Sequence, residues 1–130
     1  MKRNCMDVLL YDDSGQITQR LIDLINETTI PLTFYPAITI SELKALHKEV
    51  RPAIIILRLK YASKSAEDLI NSIAMETSHS GLLVMCDLTD ENETGLFNIP
   101  YEVKILDTYK DFEKIPGLIR QEIEKNQSAD

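Results

Sequence analysis

The sequence predicts an α/β fold, a doubly wound parallel sheet with helices on both faces, and three observations carry that expectation. Short apolar runs alternate along the chain with stretches of helical periodicity. One strand and one helix together take about 25 residues, and the pattern recurs through five such units. The strand-like runs are apolar with little interruption, as strands covered on both faces must be. Parallel neighbours need crossovers, and crossovers of this kind are right-handed.

Asp7-Val8-Leu9-Leu10-Tyr11, followed by two acids, predicts the first strand. Ile17, Leu21, Leu24 and Ile25 then recur at i, i+4, i+7 and i+8, with Gln19, Arg20 and Asp23 between them. That is a helix from Gln16 onward, with Asp13 or Ser14 placed to cap it. Pro31 to Pro36 is β-prone and bounded by prolines, which suits a short second strand. Ser41 to Glu49 predicts the second helix, and Arg51-Pro52 ends it. Ala53-Ile54-Ile55-Ile56-Leu57 is the most continuous apolar run, rich in β-branched residues, and predicts the central strand.

Leu69, Ile70 and Ile73 mark a third helix over Ser65 to Thr77, and Gly81 to Cys86 reads as the fourth strand. Between Asp87 and Pro100 only Leu88, Leu96, Phe97 and Ile99 offer apolar surface, so the fourth helix is short or irregular. Val103 to Leu106 predicts a fifth strand. Phe112, Ile115, Ile119 and Ile123 line a last helix ending near Asn126. Pro116 then requires that this helix begin close to Ile115 or hold the proline in its first turn, where no donor is needed.

At 130 residues and 44% hydrophobic composition the chain suits a single domain over 1–126, with 127–130 as a tail or the start of a linker. No apolar run approaches the ~20 residues that span a bilayer, and the stretch after the basic start is too short for a signal-peptide core. The expected location is cytoplasmic. Asp and Glu outnumber Lys and Arg by 21 to 14, a net charge of −7 that disfavours direct nucleic-acid binding. Cys5 and Cys86 have no metal-ligand spacing and read as free thiols. His47 and His79 sit in polar surroundings and read as surface residues.

Doubly wound sheets place their sites at the carboxyl ends of the strands, here Asp12, Asp13, Arg58, Cys86, Asp87 and Asp107. The order of elements, the Asp12-Asp13 pair closing the first strand, and Pro52-Ala53-Ile54-Ile55-Ile56-Leu57-Arg58-Leu59 across the third resemble the CheY-like receiver domains of response regulators, over nearly the whole chain. The resemblance implies a flavodoxin-like sheet of strand order 2-1-3-4-5. It also implies five site positions: an acid pair that holds Mg²⁺, a phosphoacceptor aspartate ending the third strand, a Ser or Thr ending the fourth, a lysine ending the fifth, and an aromatic switch residue.

Only the acid pair matches, at Asp12 and Asp13, and acids placed there serve equally to cap a helix. The acceptor position falls on Arg58, which is cationic and not a nucleophile. The Ser/Thr position falls on Cys86, the lysine on Asp107 and the switch on Lys104. Intervals of 45, 28 and 21 positions separate Asp13, Arg58, Cys86 and Asp107, comparable to the family. A slip of one residue would bring in Asp87 or Thr108 without restoring an acceptor on the third strand.

The expectation is therefore a degenerate receiver in signal transduction, a phosphorylation-independent interaction module that is not an enzyme and needs no cofactor or metal. Its partners would be other signalling proteins or further domains of the same chain, with a homodimer possible and neither nucleic acid nor membrane involved. Arg58 is expected to reach Asp12, Asp13 or Asp107, supplying the positive charge that Mg²⁺ and lysine supply in an active receiver. In the family the docking surface is the face of the fourth helix, fifth strand and fifth helix, here including Phe97, Lys104, Tyr109 and the neighbours of Ile119. Two alternatives stand beside this: a small-molecule-sensing α/β domain, and a Mg²⁺-dependent phosphotransfer enzyme using Asp12 or Asp13. The second lacks a spaced second acid or a glycine-rich phosphate loop.

Overall fold

The computed structural model describes residues 6–27, 31–60, 63–76, 81–87 and 103–128, with backbone alone for Lys104 and for 125–128. Five strands form one parallel sheet: β1 Met6–Asp12, β2 Leu32–Ala37, β3 Ile54–Leu59, β4 Gly81–Cys86 and β5 Lys104–Asp107. Their order is β2-β1-β3-β4-β5. This is the expected flavodoxin-like arrangement, and it puts the apolar strands β1, β3 and β4 in the interior of the sheet, where both faces are covered.

Register decides what meets what. Val8 pairs with Ile54, Leu10 with Ile56 and Asp12 with Arg58, while Ile56 pairs with Leu83 and Arg58 with Met85. Side chains alternate with period two, so each sheet face collects its own core. Val8, Leu10, Ile54, Ile56, Leu83 and Met85 pack against helix α1, Thr18–Asn26, and the last helix α4, Ile115–Ser128. Leu9, Tyr11, Ile55, Leu57, Leu59, Val84 and Cys86 pack on the other face with α2, Ile40–Val50, and α3, Lys64–Glu76. Asp12 and Arg58 continue the α1 and α4 face at its carboxyl end.

Helix α2 begins with a capping box that periodicity alone does not reveal. Thr39 accepts a hydrogen bond from the Glu42 amide at 3.1 Å, and the Glu42 carboxylate accepts from the Thr39 and Ile38 amides at 3.3 and 2.9 Å. The helix ends at Arg51, whose φ of 52° is left-handed. Pro52 follows and blocks continuation, so the chain turns there on a side-chain-bearing residue at some conformational cost.

Before α4, a 3₁₀ turn over Phe112–Lys114 leads into the helix at Ile115, with Pro116 in the first turn. Both conditions set by the proline are met. Ile115, Ile119 and Ile123 are buried against the sheet, and the helix runs to Ser128, two residues past the expected Asn126. The helix expected between Asp87 and Pro100 lies outside the described residues. Among those described, no helix is long and apolar enough to cross a membrane. Removing the α2 cap with Thr39→Ala should cost about 1 kcal/mol, a fall in Tm of about 3–5 °C by thermal unfolding.

Candidate functional site

Period two brings the cluster together. Asp12 ends β1 and Arg58 lies beside it on β3, while Asp87, one residue past β4, extends the face of Leu83 and Met85. Arg58 thus stands between acids on both flanking strands. Its Nη2 donates to both oxygens of Asp87, at 2.9 and 3.0 Å. Its Nη1 donates to the Ser14 hydroxyl at 2.6 Å and to Asp12 at 3.3 Å. Arg58 and Asp12 have no exposed surface, and Asp87 keeps 20% of its side chain open. Arg58 Nε is buried and has no hydrogen-bond partner among the described residues.

Asp12 is the hub. One oxygen accepts from the Ser14 amide and hydroxyl, both at 3.2 Å, and from Arg58. The other accepts from the Ile17 amide at 2.8 Å and the Thr18 hydroxyl at 3.2 Å. The carboxylate that meets Arg58 therefore also anchors the chain at the entry to α1, through the Ile17 amide and the Thr18 hydroxyl, whereas neither Asp13 nor Ser14 supplies the expected helix cap. Those two serve elsewhere. Ser14 accepts from Arg58 while its own proton points back to Asp12, and Asp13 is exposed, accepting from the Lys60 amide at 3.2 and 3.1 Å.

Burial by itself would raise the Asp12 pKa, but the Ile17 and Ser14 amides and the charge of Arg58 outweigh it and hold the carboxyl below its ordinary value. Burial likewise opposes the Arg58 charge, and the hydrogen bonds and charges of Asp87 and Asp12 outweigh it, so the guanidinium is held above its ordinary pKa. Asp12 and Arg58 therefore face each other as an ion pair in the neutral range.

Asp107 and Asp13 are not among Arg58's hydrogen-bond partners. Asp107 folds onto its own turn, accepting from the Tyr109 and Lys110 amides at 3.0 and 2.7 Å, and its amide donates to Asp111 at 2.9 Å. Cys86 points to the opposite face, into the core under α2 and α3. Burial first, then the nearby Asp87 and Asp13, pushes its thiol up to about 12, so it stays protonated.

Lys104 pairs with Leu83 in β5, but its side chain, together with Phe97, Cys5 and His79, lies outside the described residues. Tyr109 is 62% exposed, whereas Ile119 is buried. His47 is a correction to the surface reading: its side chain is only 11% exposed, 3.6 Å from Glu76, because α2 packs that flank towards α3. Among the described residues no group of His, Cys, Asp and Glu is arranged to hold a metal ion.

The residues missed as partners of Arg58 are Asp87 and Ser14. Asp87 was legible from its parity with Leu83 and Met85. Ser14 was not, because it reaches the site through a turn closed by the Gly15 amide on the Asp12 carbonyl.

The lowered Asp12 pKa fixes a pH dependence. Its stabilisation is fully present above the ordinary aspartate pKa of about 3.9 and is lost as pH falls through the depressed folded value. Urea unfolding across the acid range should therefore show stability falling below about pH 4, and Asp12→Asn should flatten that acid limb while lowering stability at neutral pH.

No family model matches the sequence, and no curated protein sequence does. Solved structures do match. The signal receiver domain of a DNA-binding response regulator (merR) from Colwellia psychrerythraea 34H is 17% identical with a TM-score of 0.74, covering 92% of this chain and 98% of that one. A CheY-like response-regulator receiver domain from Methanospirillum hungatei JF-1 is 11% identical with a TM-score of 0.72, covering 97% and 99%. An orphan response regulator of H. pylori is 17% identical with a TM-score of 0.67, covering 94% and 99%. At these identities the similarity is one of fold, and it extends over the length of a receiver domain.

Proposed function

We propose that the chain is a receiver-type module of signal transduction, held in one state without phosphorylation, that works by docking other signalling proteins or further domains of its own chain. The observation that carries this reading is the fully buried Arg58 at the position that the resemblance assigns to the phosphoacceptor, engaged by Asp12, Ser14 and Asp87. A protonated guanidinium is not the carboxylate nucleophile that forms an acyl phosphate, and here it occupies the space between the acids.

The residues also do not fit Mg²⁺. A divalent ion needs open oxygen ligands, whereas the Asp12 oxygens already accept from Ser14, Ile17, Thr18 and Arg58, with a cation beside them. The same occupancy argues against Asp12 as the nucleophile of a phosphotransfer enzyme, since an attacking carboxylate must have an oxygen to offer. Function then belongs to the surface. Ile38, Ile40 and Tyr109 are exposed hydrophobic side chains near the carboxyl end of the sheet, where contact with a partner would bury them. The net charge of −7 favours a protein partner over nucleic acid.

Incubation with acetyl phosphate and Mg²⁺ tests the proposal directly. Intact mass should show no phosphoryl adduct, and the amides of Asp12, Asp13 and Asp87 should show no saturable NMR shift. A stoichiometric adduct or saturable shifts at these amides would overturn it. The cluster's structural role has its own signature. Arg58→Ala leaves two acids unpaired and should cost on the order of 3–5 kcal/mol in chemical unfolding. Combining Arg58→Met with Asp12→Asn and Asp87→Asn, which removes charge on both sides, should recover most of that loss.

A further inference from the structure

A second site lies beside the sealed cluster, between the start of α1 and the turn after β5. It is a cleft of about 260 Å³ lined by Ile17, Arg20, Thr108, Tyr109, Lys110, Phe112 and Glu113. Its position, outside the carboxyl ends of the strands, is where doubly wound folds bind ligands. We infer that this cleft binds a small aromatic monocarboxylate, a single ring bearing one negative charge.

Size sets the first limit. The cleft falls just short of the roughly 300–1,000 Å³ of ordinary ligand sites, which leaves room for one ring and a short substituent but not a nucleotide. Charge sets the second. Arg20 and Lys110 bring two cationic donors to the cleft beside one lining acid, Glu113, while Asp107 and Asp111, the latter paired with Lys114, stand behind Lys110 and leave the neighbourhood without net charge. A single carboxylate can take the donors of Arg20 or Lys110, whereas a phosphate dianion would be repelled by Glu113 and by the Asp107 and Asp111 carboxylates beside Lys110. Among the described residues neither Arg20 nor Lys110 is engaged in a salt bridge.

Two further features favour a ring with a carboxylate. Tyr109 is 62% exposed at the edge of the cleft, and the Phe112 ring lies under the Arg20 guanidinium, 5.5 Å from its carbon to the ring centroid. That contact orients the guanidinium electrostatically and uses none of the hydrogen bonds its fork donates to a carboxylate. Thr108, in the wall, is 1% exposed and its hydroxyl has no hydrogen-bond partner among the described residues. A buried hydroxyl without a partner is disfavoured, and rotation about its Cα–Cβ bond would offer it to a bound oxygen.

The turn that makes this wall is held by Asp107, whose carboxylate accepts from the Tyr109 and Lys110 amides. The acid at the family's lysine position thus shapes the cleft instead of neutralising Arg58. The inference does not depend on the phosphorylation state of the module, so the two can fail separately.

The test is an amide NMR titration with sodium benzoate and 4-hydroxybenzoate at constant ionic strength, with benzamide as the neutral isostere. The expected result is saturable shifts at Ile17, Tyr109, Lys110 and Phe112, with Kd on the order of 1 mM or tighter, as so few atoms allow. Benzamide should bind about tenfold more weakly or not at all, and the exposed-side-chain variants Arg20→Gln and Lys110→Gln should each weaken benzoate about fivefold or more. The absence of saturable shifts up to about 20 mM, equal binding of benzamide, or indifference to both variants would overturn the inference.

Discussion

A guanidinium with no exposed surface must find its hydrogen bonds and its counter-charge inside the fold, and the carboxyl end of this sheet is organised around that requirement. Arg58 meets it with three residues from different segments: Asp12 at the end of β1, Ser14 in the turn that follows, and Asp87 just past β4. β3 is thereby tied to both its neighbours by side chains beyond the last ladder pairs. Asp12 extends the connection by holding the Ile17 amide and the Thr18 hydroxyl at the entry to α1, so one carboxylate serves a helix entry, a turn and a cation. Loss of any one of these contacts is felt by the others, since they share acceptors.

The fold was legible because the sheet's chemistry is written in its strands. The runs at Val8 to Tyr11, Ile54 to Leu57 and Leu82 to Cys86 are apolar on both parities, and the structure buries both faces. Pro116 likewise announced the start of α4. The ends of elements were harder to place. α4 continues to Ser128 through residues with no apolar pattern, and Thr39 with Glu42 forms a capping box whose spacing was in plain sight but whose effect depends on the chain leaving β2 at the right angle.

The site divides along the same line. Asp12 and Arg58 are cross-strand partners, and a carboxylate beside an arginine on parallel central strands is readable once the register is guessed. Asp107 was the tempting third member because it closes β5, but a short carboxylate next to its own turn amides satisfies those first, over the shortest path. Asp87 won the contact because it shares Arg58's face on the adjoining strand. Cys86, its neighbour in sequence, was turned by the same alternation into the other core.

The placement of Asp87 also governs how this site can change. An aspartate at position 58 would stand between Asp12 and Asp87 with no cation in reach of all three, and mutual repulsion would force one of the carboxyls to keep its proton. Arginine at 58 and the acid after β4 are therefore coupled: replacing either one leaves the other without its partner. A neutral residue at 87 would leave Arg58 with Asp12 as its remaining carboxylate partner among the described residues, and the strand end would lose its tie to β4.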